Sequence, residues 1–105
     1  MRYLTQIANE TNLSQAFRHI AANKGGPGVD GITVEAFQDS LEHRLADISR
    51  QLLQMSYRFQ PVLSVTLASQ REVFLLTVSD RVVAQAMHQV LWGALQKYLH
   101  PSSYA

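Results

Sequence analysis

Residues 62–78 read VLSVTLASQREVFLLTV, and this stretch decides the fold class. Its first half alternates, with Leu63, Val65 and Leu67 on one side, and its second half is rich in β-branched and aromatic residues. Two strand-length runs joined by a short connection predict an antiparallel β-hairpin. The connection contains no Gly, Asn or Asp, so the sequence leaves its turn type open.

A long helix is predicted after the hairpin. Ser79 is a typical N-cap residue, and apolar residues then recur at helical spacing from Val82 to Tyr98. The apolar stripe is wide enough to pack on a sheet and on another helix at once. Pro101 marks the end of this helix.

Two helices are predicted before the hairpin. The first begins at Asn12, which has a glutamine three residues later as in a capping box, and ends at Asn23. Thr33 caps the second, whose apolar stripe runs through residues 34–55 in steps of three and four. The residues before Asn12 are weakly patterned and predict one docked helical turn. The expected fold is therefore α+β, with two N-terminal helices, a small hairpin and a long C-terminal helix in one domain of residues 1–105.

A glycine-rich loop, NKGGPGVDG, joins the first two helices at residues 23–31. Backbone amides in such a loop can cradle a phosphate, and Lys24 would add a positive charge. The alternative is a tight connection between helices that needs positive φ at several positions. The structural residues of this loop are predicted to be Gly25, Gly26, Gly28, Asp30 and Gly31.

Composition sets broad limits on function. The 105 residues carry a formal net charge of +1, which neither demands nor excludes a polyanionic partner. The absence of cysteine removes disulfides and thiolate chemistry and suits a reducing compartment. No apolar run approaches the roughly 18 residues of a membrane span. We therefore expect a soluble, cytoplasmic chain with no membrane partner.

The candidate chemistry is limited to a few basic residues. The four histidines show no metal-ligand spacing, and no serine lies in a nucleophile-elbow context, so no catalytic or metal-binding residue is expected. Arg58, Arg71 and Arg81 flank the hairpin. They could contact a nucleic-acid backbone or a triphosphate, or they could simply keep the strand edges soluble. The residues alone leave both interpretations open.

Four segments in this order resemble the N-terminal part of group II intron-type bacterial reverse transcriptases. The family has an Asn-Lys-Gly and Gly-Val-Asp-Gly loop, a Tyr-Arg-x-x-Pro entry to the fingers hairpin, a Thr-Val-x-Asp-Arg helix start and a Ser-Tyr motif. The matching segments here are NKGGPGVDG, the YRFQP that begins at Tyr57, the TVSDRVV that begins at Thr77, and the closing SSYA. Gln85 lies one residue later than the family glutamine. The resemblance covers nearly the whole chain.

This resemblance implies a fingers fragment that grips the RNA template and DNA primer of an RNA-directed DNA polymerase. The catalytic carboxylates and their Mg²⁺ would belong to a palm that lies after this chain, so the fragment alone is expected to be inactive and to hold no cofactor. The ending HPSSYA fits a cut inside a longer protein with palm and thumb domains. An apolar patch is expected on the last helix, and self-association of the fragment through it is a further expectation.

The family's site residues carry over in part. Arg71 matches the arginine that contacts the phosphates of the incoming nucleotide, whereas the accompanying lysine has no counterpart, because TLASQR replaces the family's lysine and glycine turn. Lys24 and Arg58 are candidates for contacts with the template or primer backbone, and Arg81 is a further one. The altered hairpin indicates a divergent branch, such as a CRISPR-associated or other domesticated reverse transcriptase. Two further alternatives stay open: a stand-alone nucleic-acid-binding or interaction module derived from one, and an unrelated helical nucleic-acid-binding domain, which should lack the hairpin.

Overall fold

The computed structural model describes residues 2–23 and 25–99. Within this range five helices and one two-stranded antiparallel hairpin confirm the predicted α+β class. Four helices, rather than two, precede the hairpin. In chain order the elements are α1 (Arg2–Ala8), α2 (Glu10–Ala22), α3 (Val34–Asp39), α4 (Leu41–Leu53), β1 (Leu63–Thr66), β2 (Glu72–Leu75) and α5 (Val78–Leu99).

The first predicted cap is wrong, because α2 begins three residues earlier than expected. Asn9 is the N-cap, and its side chain accepts a hydrogen bond of 2.9 Å from the Thr11 amide. Asn12 lies inside α2, where its side-chain amide donates to the carbonyl oxygens of Ile7 at 3.1 Å and Ala86 at 3.2 Å. The side chain that resembled a cap therefore joins α1 and α5 to α2. The N-terminal segment forms the seven-residue helix α1, not a single turn.

The predicted single helix over residues 34–55 is also wrong. Thr33 does cap α3, accepting from the Ala36 amide at 3.0 Å, but the helix ends at Asp39. Ser40 has φ −127° and ψ 38°, which interrupts the helix before α4 begins. Its hydroxyl accepts a hydrogen bond of 2.7 Å from Nε of Arg44. The break at Ser40 could not be predicted from the periodicity, because the apolar residues keep their helical spacing across it.

A Schellman motif ends α4 and redirects the chain towards the hairpin. The Ser56 amide donates to the Gln51 carbonyl at 2.9 Å, and the Met55 amide donates to the Leu52 carbonyl at 3.1 Å. Met55 has φ +59°, in the left-handed region that usually belongs to glycine at this position.

The hairpin is confirmed over residues 63–75. The Leu67 amide donates to the Arg71 carbonyl at 2.9 Å, and the Gln70 amide donates to the Leu67 carbonyl at 2.8 Å. Gln70 has φ +63°, so the connection is a β-turn followed by one left-handed residue, as in three-residue hairpin loops. The paired residues are Leu63 and Leu75, Ser64 and Phe74, Val65 and Val73, and Thr66 and Glu72.

The last helix begins at Val78, so the predicted cap at Ser79 is wrong. The hydroxyl of Thr77 accepts from the Asp80 amide at 3.1 Å, and the Thr77 carbonyl accepts from the Arg81 amide at 2.9 Å. Thr77 therefore fills the capping role. Pro101, proposed as the end marker of this helix, lies outside the described residues.

The core is formed by the helices. Phe17 of α2 stacks on Phe37 of α3, with ring centroids 5.3 Å apart. Every residue from 62 to 76 is at least partly exposed, so the hairpin adds no fully buried side chain. Across the described ranges, no helix has the length and apolar character needed to cross a membrane. The core side chains are Ile7, Leu13, Ala16, Phe17, Ile20, Val34, Phe37, Leu45, Ile48, Val78, Val82, Val83 and Ala86.

Candidate functional site

Three segments that are far apart in the sequence meet at the N-terminal end of α5. They are the glycine loop at residues 25–31, the entry to the hairpin at residues 57–61 and the junction between β2 and α5 at residues 76–81. Each contains residues that carry the reverse-transcriptase resemblance. We call this region the junction.

The carboxylate of Asp80 lies at the centre of the junction. Asp80 is only 1% exposed. Its Oδ1 accepts a hydrogen bond of 2.6 Å from the Tyr57 hydroxyl, and its Oδ2 accepts one of 2.8 Å from the Gln60 amide. Its place in the first turn of α5 adds a favourable interaction with the helix dipole. These contacts anchor the hairpin entry on α5.

The hydroxyl of Tyr57 stays protonated in this environment. Burial raises its pKa, and the hydrogen bond to Asp80 and the negative charges of Asp80 and Asp30 raise it further. The hydroxyl therefore remains a hydrogen-bond donor over the whole physiological pH range.

Arg81 connects the glycine loop to the start of α5. Its Nε donates to the Leu76 carbonyl at 3.1 Å, and its Nη2 donates to the Gly26 carbonyl. Burial lowers the pKa of this guanidinium, while the nearby charge of Asp30 acts in the opposite direction. Two of its donor groups are thus occupied inside the domain, so Arg81 has a structural role, and its contact with template or primer stays a prediction.

Gly28 is required by close packing. A Cβ atom on this residue would lie 2.6 Å from the backbone nitrogen of Thr77 and 2.8 Å from the carbonyl carbon of Leu76. Only a glycine allows the loop to approach the start of α5 this closely.

The prediction of positive φ at several positions of this loop is wrong. Among the glycines of the loop, only Gly31 has a positive φ, of +71°. The turn is closed by the Gly31 amide, which donates to the Gly28 carbonyl at 3.1 Å. Oδ1 of Asp30 accepts from the Ile32 amide at 3.0 Å.

The predicted basic residues do not form one cluster. Arg58 is exposed within the junction, and Arg71 is exposed just before β2, at the hairpin tip. The four residues of β2 span roughly 13 Å at the usual rise of a strand. Lys24 and the closing SSYA segment lie outside the described residues.

A polar cleft of about 170 Å³ opens at the junction. Arg58 is the one cationic residue of its lining, against the three acidic side chains of Asp30, Asp47 and Asp80. The lining is therefore net negative, which disfavours an anion such as phosphate. The lining residues are Asp30, Asp47, Ile48, Gln51, Tyr57, Arg58, Gln60, Thr77, Ser79 and Asp80.

Over residues 2–23 and 25–99, no three Asp, Glu, His or Cys side chains come together as a metal-binding group.

Sequence reasoning missed the contact between Tyr57 and Asp80. No sequence pattern links these two residues, which are 23 positions apart. The Thr-x-x-Asp spacing from Thr77 resembles a capping box and indicates the true cap of α5, but it does not indicate this contact.

No protein-family model matches the chain, and no curated protein matches it. The resemblance to reverse transcriptases therefore rests on the quoted residues and on their arrangement.

Proposed function

We propose that this chain is the fingers part of an RNA-directed DNA polymerase of the group II intron-like class, and that it grips the template and primer. One observation carries the proposal: three of the four quoted motifs pack on one another at the junction. Gly28 contacts Thr77, Tyr57 bonds to Asp80, and Arg81 bonds to Gly26. These contacts support the proposal, because they give the matched residues a shared structural role.

The exposed arginines supply the means of binding nucleic acid. Neither Arg58 nor Arg71 forms an ion pair with any described residue. Each guanidinium is therefore free to donate charge-assisted hydrogen bonds to phosphate oxygens. Glu72, next to Arg71, is occupied by the hydroxyl of Ser64 at 2.6 Å. Under this proposal Arg71 contacts the nucleotide phosphates, and Arg58 contacts the template or primer backbone together with Lys24.

The proposed role is positioning, not chemistry. The carboxylates that bind Mg²⁺ would be supplied by the palm of the parent polymerase, which with the thumb is the expected protein partner. The chain itself would hold the nucleic-acid backbone, and its lack of cysteine suits the cytoplasm.

Binding of an RNA template annealed to a DNA primer tests the proposal. Fluorescence anisotropy near physiological salt should give a dissociation constant of about 10⁻⁴ to 10⁻⁶ M, as for contacts dominated by phosphates. The variant Arg58→Ala should reduce the slope of log affinity against log salt by about 1, because it removes one contact with a backbone phosphate.

Arg18→Ala is the matched control. Arg18 is exposed on α2, where it bonds only to the Ser14 hydroxyl at 3.4 Å, so its loss should leave the salt slope unchanged. If the wild type does not bind, or if Arg58→Ala and the control bind alike, the proposal fails. Equal affinity for the hybrid and for double-stranded DNA would instead favour an unrelated nucleic-acid-binding domain.

A further inference from the structure

The buried carboxylate of Asp80 holds the chain on both sides of Arg58. Its Oδ1 accepts from the Tyr57 hydroxyl at 2.6 Å, and its Oδ2 accepts from the Gln60 amide at 2.8 Å. Tyr57 is the residue before Arg58, and Gln60 lies two residues after it. Because Asp80 is buried in the first turn of α5, both bonds tie this segment to a rigid, packed element.

Two further features restrict the same segment. Pro61 has a fixed φ and favours extended backbone at Gln60. The ring of Phe59 packs edge-on against the ring of Tyr57, with centroids 5.5 Å apart and an interplanar angle of 81°. Arg58 lies between these anchored residues, and its exposed guanidinium forms no ion pair with any described residue. The backbone that carries Arg58 is thus restrained, while its charge stays available.

A restrained backbone raises the affinity of the group that it carries. Binding through an arginine on a mobile segment must first order that segment, and this ordering opposes binding. Bonds that order the segment beforehand remove part of the cost. The Asp80 carboxylate is itself negative and repels a phosphate, so it can favour phosphate binding only by way of Arg58.

We propose that Asp80, acting through Tyr57 and Gln60, is a positioning residue that holds Arg58 ready to bind a backbone phosphate of the template or primer. The inference rests on the proposed function and extends it to residues that do not touch the nucleic acid. Tyr57→Phe gives the cleanest test, because it removes one of the two bonds and keeps the aromatic ring.

A double-mutant cycle of Tyr57→Phe and Arg58→Ala tests the inference. Fluorescence anisotropy with an RNA template annealed to a DNA primer measures the affinity of the full chain and of each variant. Tyr57→Phe alone should raise the dissociation constant about three- to tenfold. In the Arg58→Ala background it should change nothing further, because the guanidinium that the bond positions is gone.

Ser49→Ala is the matched control for a general loss of stability. The Ser49 hydroxyl donates to the Ala8 carbonyl at 2.6 Å, so this variant also loses one hydrogen bond, but that bond joins α4 to α1 instead of the hairpin entry to α5. Its affinity should equal that of the wild type. Circular dichroism should show that all variants are folded.

The outcomes separate this inference from the proposed function. If the wild type does not bind, both fail. If Arg58→Ala weakens binding and Tyr57→Phe does not, the proposed function stands and the positioning role is overturned. The positioning role is also overturned if Tyr57→Phe weakens binding equally in both backgrounds, or if Ser49→Ala weakens it as much as Tyr57→Phe does.

Discussion

The hydroxyl oxygen of Tyr57 lies 2.6 Å from Oδ1 of Asp80, although 23 residues separate the two in the sequence. The bond joins the chain that enters the hairpin to the helix that follows it. Since Asp80 is buried, removing either partner leaves a polar group whose hydration was lost on folding.

Removal of the Asp80 carboxylate should destabilise the domain strongly. Asp80→Ala leaves both the Tyr57 hydroxyl and the Gln60 amide without their acceptor, and we expect a loss of about 2–4 kcal/mol in the free energy of unfolding. Tyr57→Phe should cost about 1–2 kcal/mol. Urea unfolding measures both. The two losses should not add in the double variant, because the partners share one bond. Fully additive losses would show that the bond contributes nothing.

Alkaline pH should weaken the fold through Tyr57. Its pKa is raised in the folded protein, so the folded state holds this proton more tightly than the unfolded state does. The stabilisation is complete below the unfolded pKa of about 10 and is lost as pH rises above it. One proton gives at most about 1.4 kcal/mol per pH unit. Urea unfolding at several pH values from 8 to about 11 should show a smaller loss for Tyr57→Phe than for the wild type.

Tyr3→Phe is the control for this pH dependence. Tyr3 is 50% exposed on α1, so this variant should follow the wild type at every pH. An identical alkaline loss in wild type and Tyr57→Phe would contradict the assignment.

A methyl group at Gly28 should not be tolerated. Gly28→Ala places Cβ 2.6 Å from the Thr77 nitrogen and 2.7 Å from its Cα, both backbone atoms that cannot move aside cheaply. We expect a loss of about 2–3 kcal/mol in stability. Gly26→Ala is the matched control, since its Cβ would meet only the Leu75 side chain at 3.9 Å and no positive φ is involved. Equal melting temperatures for the two variants would refute the close packing.

Glycine at position 55 should stabilise the protein. Met55 has φ +59° and is 73% exposed, so Met55→Gly removes backbone strain and almost no packing. The left-handed conformation costs a non-glycine residue about 1–2 kcal/mol, of which the greater freedom of unfolded glycine cancels part, and we expect a net gain of about 0.5–1 kcal/mol.

Gln54, the residue before Met55, provides a control for which the expected change in stability has the opposite sign. Gln54 is right-handed, at φ −84°, so Gln54→Gly should lower stability by about 0.5–1 kcal/mol. A thermal melt distinguishes the two directions. Destabilisation by both substitutions would mean that the left-handed residue is not a source of strain.

The fold class could be predicted because the local sequence patterns of the strands and helices agree with how these elements pack. Alternation identified the strands, and the cap at Thr33 is used as predicted. Asn12 and the break at Ser40 were not predictable from spacing. The side-chain amide of Asn12 donates hydrogen bonds to backbone carbonyls of α1 and α5, which residue spacing does not reveal. The apolar residues keep their helical spacing on both sides of Ser40.

The candidate site was harder to predict for a related reason. Its central group, Asp80, looks like an ordinary acidic residue in a first helical turn. Its burial depends on Tyr57 and Gln60, which approach only when the hairpin entry folds back on α5. Likewise Gly28 was expected to serve backbone freedom, whereas the structure requires it for space beside Thr77.

The hairpin takes part in the fold without contributing a fully buried side chain to the core. Its tip at residues 68–70 can therefore lengthen, shorten or change charge while the helices keep their packing, because doubling the length of a flexible loop costs only about 0.6 kcal/mol. Substitutions at this tip therefore carry little risk to folding, whereas substitutions at the junction disturb buried contacts.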